Sequence, residues 1–399
     1  MADKQAMEWQ KLISKKRFEA QEGSNYQTNE SVRGEFQVDY DRIVFSTAFR
    51  RLQNKTQVMP MPESDFVHTR LTHSLETSVV GRSLGRNVGK IISEKHPDLA
   101  QEKNLSDADF GDIVAAACLA HDIGNPPFGH SGEDAISAYF CSDAGNQFIK
   151  NLNDAQRADL TNFEGNAAGF RILTYTYPSQ CDMPGGLRLT YTTLATFTKY
   201  PKESLPQLKG TPHTSEKKYG FFQSEKPRFQ QIAEELGLLS KNSSQAFYHR
   251  HPLAFLVEAA DDICYRIVDF EDGLKLGLIP HKQGVELLKE LRYALQQNRK
   301  ESSLKFYDWR EEIGYLRARI IGLLIQKASE IFIENEADIL TGEFDKSLIS
   351  QLDLGKAQLN DIKSLSIEQI YKNRPVLEIE AAGFEVLGGL LDAFLGAVF

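Results

Sequence analysis

His121-Asp-Ile-Gly-Asn-Pro-Pro-Phe-Gly-His-Ser-Gly-Glu133 closes an apolar run and holds two hard-metal ligands, a helix break and a His/Glu pair. A plain helical core has no use for that combination. His121 and Asp122 fall where a helix must stop, because Gly124-Asn-Pro-Pro127 cannot continue it. The free carbonyls and the macrodipole at a helix C-terminus favour positive charge. A cation held there calls for further ligands and an anionic substrate.

Outward from this stretch, helical periodicity dominates. Residues 69 to 95, 106 to 122, 130 to 140, 251 to 274, 281 to 297, 304 to 340 with a break, 356 to 371 and 376 to 398 all read as helices. In the fourth of these, Leu256, Ala260, Ile263, Ile267, Phe270 and Leu274 recur at steps of three and four and predict a buried stripe. Alternating strand patterns are scarce, and no dinucleotide fingerprint, P-loop or fixed-period repeat is present. Ser142 to Thr161 is polar, a connection or an exposed helix. Tyr200 to Pro227 is the most loop-like part, a short hairpin or a lid over a site. The fold class expected is all-α.

The chain has 399 residues, 41% apolar and 25% charged, an ordinary globular mixture with enough length for a sizeable core. No apolar run reaches the length of a membrane span, and the polar start has no signal-peptide core, so a cytoplasmic protein without a membrane role is expected. Cys118, Cys141, Cys181 and Cys264 are scattered and read as reduced thiols. A net charge of −9 argues against a generic nucleic-acid coat but leaves room for a local cationic cluster around a small anion.

Two more segments offer ligands. His73 lies in His68-Thr-Arg-Leu-Thr-His-Ser-Leu-Glu76, and Arg70 shares its helix face three residues earlier. An Arg beside a metal ligand makes sense when an anion sits between them, as a phosphate would. In Glu258-Ala-Ala-Asp-Asp-Ile-Cys-Tyr-Arg-Ile-Val-Asp269, Asp261, Tyr265 and Asp269 stack on one face, whereas Asp262 stacks with Arg266. Asp261 is therefore the expected ligand. His73, His121, Asp122 and Asp261 form a mixed nitrogen and oxygen set suited to Mn²⁺ or Mg²⁺, with Fe²⁺, Co²⁺ or Zn²⁺ also compatible.

Five segments in order between residues 30 and 275 resemble a known group. They are Phe49-Arg-Arg-Leu-Gln-Asn-Lys-Thr-Gln-Val58, Thr69 to Glu76, His121 to Glu133, Phe163-Glu-Gly-Asn-Ala-Ala-Gly-Phe-Arg171 and Glu258 to Ile263. The chain resembles the HD-domain superfamily of metal-dependent phosphohydrolases and, through Gln57 and Asn166, its deoxyguanosinetriphosphate triphosphohydrolases. That resemblance implies an HD-domain helical architecture with a small loop or hairpin excursion. It also implies cleavage of a deoxynucleoside triphosphate, dGTP foremost, into deoxynucleoside and intact triphosphate. The same four metal ligands follow from it, as do a homo-oligomer, often a hexamer, and a nucleotide or single-stranded DNA effector. Residues 1–399 are expected to form a single helical catalytic unit, with the HD core at about 40–275 and a C-terminal helical region at 276–399. Similar proteins continue past the apolar helix that stops here at Phe399, so a tail that feeds basic residues to neighbouring sites is expected to be missing.

His130 and Glu133, three residues apart in the first turn of a helix, are expected to handle protons, with Glu133 orienting or charging the imidazole. Which of them meets water and which meets the leaving 5′-oxygen stays open. Arg70 is expected to neutralise phosphate. The resemblance adds Lys199, Lys218 and Asn166 on the triphosphate, Gln57 and Asp269 on the 3′-hydroxyl, and Tyr265 against the deoxyribose. Competing readings are another HD-domain nucleotide phosphohydrolase, a monophosphatase or phosphodiesterase, and a non-catalytic nucleotide sensor or DNA-binding scaffold.

Overall fold

The computed structural model describes residues 5–18, 33–57, 68–177, 185–208, 210–211, 213–242, 244–297 and 304–399. The helices that frame the site are α1 (Glu35–Phe45), α2 (Arg70–Lys95), α3 (Asp107–Ala120), α4 (Gly129–Cys141), α5 (Gly165–Thr174) and α6 (Tyr191–Phe197). They continue with α7 (Ala254–Lys275), α8 (His281–Leu295), α9 (Trp309–Glu334), α10 (Lys356–Ser366) and α11 (Arg374–Val398). Among the described residues there is no sheet, only isolated bridges. The all-α expectation holds. Asn335 supplies the expected break after α9, and the polar stretch after α4 forms two short helices, Asp143–Ile149 and Asp154–Thr161.

α3 is the hub. Its residues from Ile113 to Ala120 are all buried, as an apolar-all-round helix requires. It packs against α1, α2, α6 and α7, most extensively against α2. Gly81, Gly85 and Gly89 make that contact close. A Cβ at Gly85 would lie 2.5 Å from the Phe110 carbonyl oxygen, and one at Gly81 would lie 2.4 Å from Cys118 Sγ. A capping box between Thr69 and Thr72 fixes the start of α2. The beginning of α2 and the end of α3 therefore meet at one place, and α7 brings its buried Leu256-to-Leu274 stripe against both.

Two expectations need correction. Of the hairpin and lid readings of 200–227, the hairpin finds no bridge of its own among the described residues, where Lys202 pairs with Phe247 instead. Pro201 and Pro206 each lack the N–H a strand ladder needs, which fits this irregular path. The second concerns α11, which is long and apolar enough to cross a membrane by length and composition alone, contrary to the expectation that no run is. Glu380, Glu385 and Asp392 interrupt it, so the apolar stretch escapes a count of uninterrupted residues. Its inner face packs on α4, with Tyr139 donating to Asp392 and Leu391 and Leu395 joining a small cluster with Tyr139, Phe140 and Ile149. Cys118 and Cys264 are buried and Cys141 is exposed, all as free thiols, while Cys181 lies outside the described residues.

Candidate metal centre and substrate cavity

His121 caps the end of α3, and its Nδ1 lies 2.7 Å from the Cys118 carbonyl oxygen. A carbonyl only accepts, so Nδ1 donates to it and Nε2 is turned toward the cluster, the orientation of a metal-ligating imidazole. His73, in the first turn of α2 and 1% exposed, places Nε2 3.3 Å from Asp261 Oδ1. The same carboxylate oxygen lies 3.6 Å from His121 Nε2. Ligand atoms of these three residues all fall within 4.8 Å of one another. A divalent ion with bonds of about 2.1 Å holds neighbouring ligand atoms about 3 Å apart, so this donor set fits one with a small contraction.

Asp122 stands beside the trio rather than inside it. Its Oδ1 is 3.6 Å from His121 Nε2 and accepts from Asn125 Nδ2 at 2.5 Å, while its Oδ2 accepts from Arg70 Nη1 at 2.7 Å. Burial works against its charge, but Arg70 and His121 outweigh burial and hold the carboxyl at about 2. Asp261 is likewise held well below the usual carboxylate range against burial by His121 and His73. Both are carboxylates at neutral pH, as ligands must be.

A cavity of about 650 Å³ opens on this cluster. Arg70, His130, Glu133, Asn166, Lys199, Lys218, Gln57 and Tyr265 all line it, together with the four metal-ligand candidates. Lys199 is anchored 3.3 Å from Glu258, which also accepts from Arg250 at 2.9 Å. Gln57 keeps Oε1 buried without a partner, an acceptor able to take a hydroxyl.

Three roles shift. Glu133 does not orient His130: its Oε1 accepts from the Gly165 N–H at 2.7 Å and its Oε2 faces Lys218 Nζ at 3.4 Å. His130 is exposed and lines the cavity together with Glu380 of α11, close enough for the two to interact electrostatically. Asp269 shares the face of Asp261 and Tyr265 but does not line the cavity, being 1% exposed with Oδ2 accepting from the Tyr371 hydroxyl at 2.9 Å. Burial pushes it up to about 7. Asp262, paired with Arg266 in the sequence reading, lines the cavity and accepts from Ser347 at 2.6 Å.

The C-terminal region supplies what the motifs do not. Ile367, Tyr371, Lys372, Val376 and Glu380 form one wall, and Tyr371 stacks on Tyr265 with ring centroids 5.3 Å apart and planes 6° from parallel. Tyr371 ends a π-helical turn, Ile367–Tyr371, which follows α10. These positions carry no motif, and only the π turn, invisible in sequence, marks them.

The HD domain family matches residues 70–160, which span α2 to the short helix before α5. A deoxyguanosinetriphosphate triphosphohydrolase-like protein of Synechocystis sp. is 48% identical over 98% of this chain and 87% of its own length. The chain belongs to the deoxyguanosinetriphosphate triphosphohydrolase-like family. Another such protein, from Pseudomonas aeruginosa, is 41% identical over 98% of this chain and 85% of its own length. A deoxyguanosinetriphosphate triphosphohydrolase of Salmonella paratyphi A is 31% identical over 90% of this chain and 76% of its own length.

Proposed function

We propose that this chain hydrolyses a deoxynucleoside triphosphate, dGTP foremost, at the α-phosphorus to give deoxynucleoside and intact triphosphate. One observation carries the reading. A His73–His121–Asp261 ligand cluster and three cations, Arg70, Lys199 and Lys218, share one cavity. The names of the relatives point to the same substrate class.

His73, His121, Asp261 and Asp122 would hold the divalent ion, Mn²⁺ or Mg²⁺ before Fe²⁺, Co²⁺ or Zn²⁺, and such an ion supplies Lewis acidity toward a phosphoryl oxygen. Arg70 turns a planar fork toward phosphate. Lys199 and Lys218 neutralise the tail, with Asn166 Nδ2 as a neutral donor beside them. His130 moves the proton, with Glu380 as a carboxylate lining the same cavity. At the sugar end, Gln57 Oε1 would accept a hydroxyl, and the Tyr265–Tyr371 stack would stand against the 2′ position.

Residues 1–399 act as a single catalytic unit in this reading, since the wall from Ile367 to Glu380 completes a cavity otherwise built between 40 and 275. Free thiols suit a cytoplasmic setting. The apolar stripe Val386, Leu390, Phe394 and Val398, exposed along α11, supports self-association. Incubation with each deoxynucleoside triphosphate and Mn²⁺ or Mg²⁺, then chromatography of both products, tests the reading. Deoxynucleoside with intact triphosphate is expected; orthophosphate, pyrophosphate or no turnover rejects it.

A further inference from the structure

Glu164 stands directly behind the tail end of the cavity and is not itself part of its lining. Its Oε1 lies 3.1 Å from Lys218 Nζ and its Oε2 accepts from Asn166 Nδ2 at 3.2 Å. One carboxylate thus engages Lys218 and Asn166, two of the three donors assigned to the polyphosphate tail. Its side chain is only 12% exposed. The neighbouring Glu133 reaches the same ammonium at 3.4 Å and grips the Gly165 N–H, so two carboxylates share a single Lys218. A Cβ on Gly165 would lie 2.7 Å from Glu133 Oε1, and that close approach keeps the pair together.

We infer that Glu164 is an internal stand-in for the polyphosphate, and that a bound triphosphate displaces it from Lys218 and Asn166 with uptake of one proton from solvent. This rests on the polyphosphate reading of the cavity. The charge count requires the proton. Once Lys218 turns to phosphate, Glu164 keeps no compensating cation and faces the Glu133 carboxylate and the added polyanion in a poorly solvated place. The groups facing it are Glu133 from α4, Lys218 and Tyr219 from the loop before Phe221, and Asn166 from its own helix. Burial, with Glu133 adding to it, already lifts the carboxyl to about 7 against the pull of Lys218. Glu164 is therefore a positioning residue that favours long phosphate chains: a ligand with little charge does not pull Lys218 away from two carboxylates.

Calorimetry of inorganic tripolyphosphate binding to the full chain with saturating Mg²⁺, at pH 8 in buffers of different ionisation enthalpy, counts the protons exchanged. The unmutated chain is expected to take up about one proton per tripolyphosphate and to bind more weakly as pH rises. Glu164→Gln is expected to lose that uptake and to bind tripolyphosphate about tenfold more tightly, because one of the two carboxylates competing for Lys218 is gone. Orthophosphate is expected to bind the unmutated chain without proton uptake. Tripolyphosphate binding without uptake by the unmutated chain overturns the inference alone, as does unchanged or weaker binding by Glu164→Gln. Failure of the unmutated chain to bind tripolyphosphate at all rejects the polyphosphate reading together with it.

Discussion

Arg70 Nη1 donates to Asp122 Oδ2 at 2.7 Å, so the guanidinium nearest the metal turn is bonded to one of its carboxylates. Both side chains are about nine-tenths buried, with exposures of 12% and 10%. Removing one member of such a pair leaves the other charged and unpaired, at a cost of about 3 kcal/mol. Arg70→Ala is therefore expected to lower kcat/KM about 100-fold, and Arg70→Lys to recover only part of it, since an ammonium cannot make the fork.

The same pair sets an acid limit. Arg70 helps hold Asp122 at about 2, below the ordinary carboxylate value of about 3.9. Stabilisation from a depressed carboxylate is present above the ordinary value and is lost as pH falls through the folded one. In Arg70→Ala the acid limb of the pH–activity profile is expected to move to higher pH. An unmoved limb would mean that Asp122 does not depend on Arg70.

His130→Ala is expected to reduce kcat by about 10² to 10⁴, the usual range for a lost proton donor or acceptor. Metal content and melting temperature should stay at their original values, because the exposed ring ligates nothing in the cluster and fills no core space. Full turnover in this variant would remove His130 from the proton path.

Tyr265 and Tyr371 lie ring on ring beside Asp261. If Tyr265 packs against the deoxyribose as proposed, Tyr265→Ala is expected to raise GTP binding relative to dGTP, read as a ratio of dissociation constants. No change in that ratio would place the sugar elsewhere in the cavity.

His68 tests the frame around the site. Its Nδ1 meets Asp272 at 2.5 Å and its Nε2 meets Glu76 at 3.1 Å, which ties the start of α2 to α7. Burial alone would lower the imidazole, but these two carboxylates outweigh it and lift it to about 10. A raised folded value gives stability that is complete below about 6.5 and lost as pH rises through about 10. His68→Ala is expected to cost about 2 kcal/mol near pH 6 and progressively less toward pH 10, measured by denaturant unfolding. A pH-independent difference would contradict the charged clamp.

Much of the core was legible because its signals are local. The α7 stripe and the His121–Asp122 helix end each depend on residues within a turn or two of one another. What escaped depends on competition between distant partners. Helical spacing places Glu133 on the side of His130, but it cannot reveal that Gly165 and Lys218 will claim both carboxylate oxygens. Spacing also aligned Asp269 with Asp261, yet depth below the cavity floor is set by Tyr371, 102 residues away. The wall from Ile367 to Glu380 belongs to a region whose amphipathic helices advertise burial and nothing about chemistry.

The most direct test is hydrolysis of dGTP in ¹⁸O-labelled water with Mg²⁺, followed by ³¹P NMR and mass analysis of both products. Attack by water at the α-phosphorus puts one ¹⁸O on a terminal phosphate of intact triphosphate and none on deoxyguanosine. Label in the nucleoside, or release of orthophosphate or pyrophosphate, would contradict an active site built to cut between the 5′-oxygen and the first phosphorus.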